Sequence, residues 1–114
     1  MRYVFLAYHD EDMLAAMPPG ERATFGDACA ANDEALRQSG RLLAAERLHS
    51  GASATTLRLQ NGAVALSDGP HAATNAQLAG LFLVDARDLN EAIRIATQMP
   101  QTRSGPIEIR PVKE

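Results

Sequence analysis

Gly80-Leu81-Phe82-Leu83-Val84-Asp85 is the stretch on which the fold turns. Its four consecutive large apolar residues put hydrophobic side chains on both faces of a strand, and such a strand must be covered on both sides. A second stretch of the same kind, Tyr3-Val4-Phe5-Leu6-Ala7-Tyr8, lies near the N-terminus. Two doubly apolar strands in one short chain are the expected centre of a sheet. The C-terminal Ile107-Glu108-Ile109-Arg110-Pro111-Val112 instead alternates, as a half-exposed edge strand does.

Upstream of the deciding stretch, Thr55-Thr56-Leu57-Arg58-Leu59-Gln60 and Ala63-Val64-Ala65-Leu66-Ser67 flank Asn61-Gly62. Asn-Gly accepts the positive φ values of a type I′ turn, so the segment reads as a hairpin. Asp68-Gly69-Pro70 breaks its second strand, and a polar loop runs to Gln77. Leu42 to Leu48 reads as a further strand, followed by the small-residue loop His49-Ser50-Gly51-Ala52-Ser53. Two helices complete the chain. The first runs from about Gly20 to Ser39, stopped by Gly40, with Phe25, Ala28, Cys29, Asn32 and Leu36 at helical spacing. Asn32 is the polar member of that stripe and is expected at its edge with a satisfied amide. Between Asp10 and Pro19 a polar connection holds one helical turn around Met13-Leu14-Ala15-Ala16. The second helix opens on Asp88-Leu89-Asn90-Glu91, a capping box with Asp88 as N-cap and Glu91 reaching back. It is expected to bury Leu89, Ala92, Ile93 and Ala96, and Pro100 ends it.

The order is β-α-β-hairpin-β-α-β. It predicts one α+β domain over residues 1–114, a ferredoxin-like βαββαβ sandwich with an extra β-hairpin. Right-handed crossovers place both helices on one face of the sheet. The other face is left bare, and a two-fold partner covers such a face most simply, giving a homodimer of the dimeric α+β barrel type. The alternative is a monomer whose hairpin folds over its own sheet.

Composition narrows the function. The chain carries a formal net charge of -3, with a pI of about 5.6 and Lys113 as its one lysine, against nucleic-acid binding. The single cysteine, Cys29, permits no intrachain disulfide and agrees with a reducing cytoplasm. No stretch approaches the roughly 20 apolar residues of a membrane span, and Met1 to Tyr8 lacks a signal-peptide pattern. A cytoplasmic protein with no membrane partner is expected.

Asp68-Gly69-Pro70, followed by Ala72, Thr74, Gln77-Leu78 and Gly80, resembles the signature of the YCII-related proteins of the DGPF type. The resemblance extends to Tyr8, Leu42–Leu48, the Ala54-Thr55-Thr56 entry to the hairpin, Asp88-Leu89-Asn90-Glu91-Ala92 and the Ile107–Val112 ending. It implies a ferredoxin-like, dimeric α+β barrel. Relatives are often encoded beside extracytoplasmic-function sigma factors, and the wider superfamily holds small lyases, isomerases and oxygenases. The chain also departs from the pattern. His71 stands where the family usually has Phe, Ala73 where it has Glu, and Asn75-Ala76 where it has Lys-Glu. Any role of that Glu cannot be carried over to Ala73.

The candidate catalytic residues are Asp68, as general base or ligand anchor, and His71, whose imidazole it would orient. Against this, Asp-Gly-Pro is also a turn sequence in which Asp bonds its own backbone, and His71 also reads as an exposed loop histidine. Tyr8, Glu46, Gly69 and Pro70 are the candidate ligand-binding residues, although Glu46 also reads as solvent-facing or paired with Arg41 or Arg47. His9, His49 and His71 raise a zinc site. With the Tyr3 and Leu42 strands taken as antiparallel, His9 and His49 fall at opposite edges. No metal and no cofactor are expected. Cys29 reads as core. Two functions follow: a small lyase- or isomerase-type enzyme acting on a small polar or aromatic metabolite in the barrel, or a non-catalytic module that binds a metabolite or a regulatory protein such as a sigma factor.

Overall fold

The computed structural model describes residues 1–114. In chain order come β1 (Arg2–Asp10), α1 (Glu11–Ala16), α2 (Pro19–Gln38), β2 (Leu42–Arg47), β3 (Thr55–Gln60), β4 (Ala63–Asp68), β5 (Ala76–Asp85), α3 (Leu89–Thr97) and β6 (Ile107–Pro111). Short 3-10 turns occupy Gly51–Ser53 and Pro100–Arg103.

Four strands form one antiparallel sheet in the order β2-β5-β1-β6, the ferredoxin-like arrangement. The two doubly apolar strands, β1 and β5, lie at its centre as their patterning requires. One orientation read from sequence is corrected. β2 and β1 each run antiparallel to β5, which lies between them, so they are parallel to each other. A crossover helix that returns to the same side demands this, and it brings the C-terminal ends of β1 and β2 to one edge of the sheet.

One face of the sheet carries the core. Tyr3, Phe5 and Ala7 from β1 and Phe82 and Val84 from β5 are buried with Leu42, Ala92, Ala96 and Met99, and Leu36 packs against them. Both long helices therefore cover the same face. On the other face the register sets Val4 beside Leu83 and Leu6 beside Leu81, all half-exposed. Charged residues border this apolar stripe: Glu108 pairs with Leu6 and Arg110 with Val4, while Glu46 pairs with Leu81 on the far side.

A bulge interrupts the centre. Ala7 faces Gly80 but Tyr8 faces Leu78, so Ala79 is the extra residue. Beyond it, pairing continues to Asp10 and Ala76. β5 thus begins at Ala76 rather than after the loop expected to reach Gln77. Ser104–Pro106 braces the same region: Tyr8 N–H donates to the Pro106 carbonyl at 3.0 Å and Asp10 N–H to the Ser104 carbonyl at 3.1 Å.

The hairpin turns at Asn61 (φ 53) and Gly62 (φ 80), the left-handed pair of a type I′ turn. β3 and β4 form a separate two-stranded sheet. Leu57 faces Leu66 and Leu59 faces Val64, and these four side chains are 60 to 72% exposed. The hairpin does not fold over its own sheet. Its projection raises the radius of gyration to 15.9 Å, against about 13 Å for a compact chain of this length.

Helix details depart from expectation in three places. Asp88 caps α3 by accepting the Glu91 N–H at 2.9 Å, but Glu91 does not reach back to Asp88. Its buried carboxylate instead accepts the Arg87 N–H at 3.1 Å and meets the Arg87 and Arg41 guanidinium groups. Two charges within reach outcompete one cap N–H. α3 buries Ala92 and Ala96, whereas Leu89 and Ile93 are exposed. Small residues let this helix sit close to the sheet, and the larger pair lies one step around its surface. In α2 the buried polar residue is Asp33 rather than Asn32, and the half-buried Asn32 amide nitrogen has no partner.

Two predictions follow. A Cβ at Gly105 would lie 1.9 Å from the Tyr8 carbonyl oxygen, whereas one at Gly20 meets nothing. Gly105→Ala is expected to cost about 1–3 kcal/mol or more, and Gly20→Ala to stabilise by about 0.4–1 kcal/mol, read by urea unfolding. For Glu91, the backbone bond from Arg87 leads the causes that hold its pKa below the ordinary value, with the Arg41 and Arg87 charges adding to it against some desolvation. A depressed folded pKa contributes stability above the unfolded value of ~4.3, lost as pH falls through the folded value. Glu91→Gln should therefore lower Tm at neutral pH, and the difference from wild type should shrink in strong acid.

Candidate functional site

A cleft of about 640 Å³ opens between α1, α2 and the edge where β1 and β2 end. That volume lies within the range of small-molecule sites. Its wall on the sheet side is Ala7, Ala79, Gly80 and Phe82, and on the helix side Leu14, Ala15, Phe25, Gly26 and Cys29. Its polar groups are His9, Glu11, Asp12, Arg22, Arg47, His49, Ser50 and Gln101.

Local chemistry explains how this end is built. Asp10, the last residue of β1, caps α1 by accepting the Met13 N–H at 3.1 Å. Glu11 then ties α1 to the loop after β2, accepting from the Ser50 hydroxyl at 3.0 Å and the Gly51 N–H at 2.8 Å. Arg22 on α2 donates to the Leu14, Ala15 and Met17 carbonyls at 3.1 to 3.3 Å, closing the C-terminal end of α1. Leu48 N–H donates to the bulged Ala79 carbonyl at 2.8 Å, which fixes the end of β2. Two charged side chains thus build the walls and remain engaged within the protein.

His9 stands at the floor. Its ring meets Phe25 edge-on, with centroids 6.3 Å apart at 78°. Its Nδ1 is buried without a partner. Burial first, and the Arg47 charge second, lower its pKa, with Glu11 opposing, so the imidazole is neutral at pH 7. A neutral imidazole is a proton acceptor and a hydrogen-bond donor in one ring. Burial raises the Cys29 thiol, which stays protonated and is part of the core rather than a nucleophile. Asp33, buried behind the cleft, is pushed up by desolvation while Arg47, Gln101 and Arg37 pull it down. The oxygens Asp33 Oδ1 and Gln101 Oε1 are buried without partners.

The residues singled out in the sequence fall elsewhere. Asp68 ends β4, is exposed, and makes no side-chain hydrogen bond, neither to His71 nor to its own backbone. The turn is shaped by Gly69, whose φ of 101 favours glycine, with its N–H on the Ala54 carbonyl at 2.7 Å and its carbonyl on the Thr56 hydroxyl at 2.8 Å. Pro70 is half-buried beside it, and the exposed His71 has its Nδ1 3.0 Å from an Arg58 nitrogen. Tyr8 and Glu46 belong to the uncovered face of the sheet, paired with Leu78 and Leu81, and Glu46 forms no ion pair. None of the six lines the cleft.

Parallel β1 and β2 bring His9 and His49 to the same cleft, correcting their expected separation. No group of three or more His, Cys, Asp or Glu side chains gathers there or elsewhere with metal-binding geometry. His9 and Arg47 were legible as site residues only through the direction of β2. With both strands parallel, the residues at their ends must converge.

Comparison with known proteins agrees with the fold. An uncharacterised protein of Rhizobium meliloti (strain 1021) is 32% identical over 114 residues, covering 98% of this chain and 92% of that protein. The solved structure of 5-chloro-2-hydroxyhydroquinone dehydrochlorinase (TftG) from Burkholderia phenoliruptrix AC1100, in complex with 2,5-dihydroxybenzoquinone, superposes with a TM-score of 0.59 at 13% identity. The superposition covers 100% of this chain and 95% of that one and shows a shared fold. The family model of the YCII-related domain matches residues 1–114, and the chain belongs to that family.

Proposed function

We propose that this protein acts on a small polar or aromatic metabolite as a lyase- or isomerase-type enzyme, with His9 as the proton acceptor at the floor of the cleft. The observation that carries this is the partner-free imidazole of His9 lining a cleft of about 640 Å³, with its pKa lowered first by burial. Eliminations and isomerisations of small metabolites begin with removal of a proton, and an unprotonated imidazole can accept one. The TftG fold neighbour, a dehydrochlorinase by name, supports the class only to the extent that this fold can house an elimination on a small ring. Asp68 and His71 remain the second candidate pair, at the exposed end of β4.

The protein is further proposed to work as a cytoplasmic homodimer, with the Val4, Leu6, Leu81 and Leu83 face as the contact. A half-exposed apolar stripe edged by charges is the pattern of a self-complementary interface. The other function, a binding module for a regulatory protein, draws on the hairpin's exposed Leu57, Leu59, Val64 and Leu66 and on the missing family acids at Ala73 and Ala76.

Three measurements test these proposals. In NMR, the His9 ring should titrate below 6.5, and Arg47→Gln should move its midpoint up, because the Arg47 charge depresses it. By linkage, His9 contributes stability above the unfolded value of ~6.5 that is lost as pH falls through the folded value. In a thermal-shift and turnover screen of a metabolite panel, a hit lost in His9→Gln but kept in Asp68→Ala places the site in the cleft. A hit with the opposite dependence moves the site to the Asp-Gly-Pro loop and ends the His9 mechanism. In light scattering, Leu83→Glu should convert a dimer to a folded monomer, and an unchanged dimer would assign the contact to another surface.

A further inference from the structure

We propose that the cleft is selective for small organic anions with a flat apolar body, the anionic group held by Arg47 and the body lying against Phe25. This rests on the cleft being the ligand site and adds the class of ligand it takes.

One lining charge of the cleft is spare. Four ionised side chains line the cleft: Glu11, Asp12, Arg22 and Arg47. Glu11 is occupied by Ser50 and Gly51, and Arg22 by the three carbonyls that end α1. Asp12 is exposed in the first turn of α1 and acts on none of the groups at the floor. Arg47 is the remaining cation, and it takes part in none of the six ion pairs of the protein. It lines the cleft together with His9, Cys29 and Gln101, and its charge contributes to the lowered pKa of His9. An unpaired guanidinium in a partly desolvated cleft is a fork of donors suited to a carboxylate or phenolate. Asp33 is the nearest competing acid. It is buried and forms no ion pair with Arg47, and desolvation raises its pKa against the pull of the Arg47 charge.

The rest of the cleft fits a flat body. Ala7, Ala15, Gly26, Ala79 and Gly80 keep the walls low, and the half-buried Phe25 supplies aromatic surface. Gly80 has no room to spare, since a Cβ there would lie 3.3 Å from the Glu46 carbonyl and 3.5 Å from the Phe82 ring.

The test uses benzoate, its neutral isostere benzamide, and acetate, with binding read by calorimetry on the intact protein. Benzoate is expected to bind at least ~10-fold more tightly than benzamide or acetate, the tenfold step corresponding to about 1.4 kcal/mol. Arg47→Gln should erase the preference over benzamide, Arg47→Lys should restore part of it, and Asp33→Asn should leave it intact. Arg47 is exposed and unpaired, so its variants should retain the wild-type Tm, checked in the same samples. Equal binding of benzoate and benzamide, both lost in His9→Gln, would overturn the anion proposal and leave the cleft as a ligand site. Absence of benzoate binding would overturn it also. Metabolite hits that depend on Asp68 and ignore His9 would instead remove the cleft reading on which it stands.

Discussion

The antiparallel pairing of β1 with β5 is the constraint on which everything else depends. Both strands are apolar on both faces, so placing them side by side creates two apolar surfaces at once. α2 and α3 cover one. The crossovers that deliver them to the same face also make β1 and β2 parallel, and that parallelism gathers His9, Arg47 and His49 at one edge. The same geometry leaves Val4, Leu6, Leu81 and Leu83 without a cover. Site and uncovered face are two consequences of one packing decision.

The bulge at Ala79 refines this arrangement. It lets β1 and β5 continue to Asp10 and Ala76 and turns the Ala79 carbonyl to the Leu48 N–H, which seats the end of β2 beside the cleft. Gly105 permits the backbone brace behind it. Only 16 of 114 residues are buried, and ten large hydrophobic side chains are exposed. The exposed hairpin aliphatics and the bare sheet face account for much of what remains.

Much of this was legible in the residues. The central strands announced themselves by apolar side chains at consecutive positions, the hairpin by Asn61-Gly62, and the start of α3 by Asp88. These signals are local, or need only one assumption about burial. The rest was not legible because it depends on what meets in space. Glu91 was read as a capping partner, and the nearby Arg41 and Arg87 charges claimed it instead. Asp33 lies four residues after Cys29 on the buried stripe, but an aspartate is ordinarily assigned to solvent. Asp68 and His71 were singled out by motif, and a motif does not say which cavity, if any, a loop faces. His9 and Arg47 sit far apart in sequence and become neighbours only once the direction of β2 is known.

The central claim is that the cleft at the ends of β1 and β2, floored by a neutral His9, is where a small molecule binds. Amide and imidazole chemical-shift mapping with a library of small ring-containing fragments tests it most directly. The expected result is a set of perturbations centred on His9, Phe25, Leu48 and Gly80, with the imidazole itself responding. Perturbations confined to the Asp68–His71 loop or to the uncovered sheet face, with His9 silent, would contradict it.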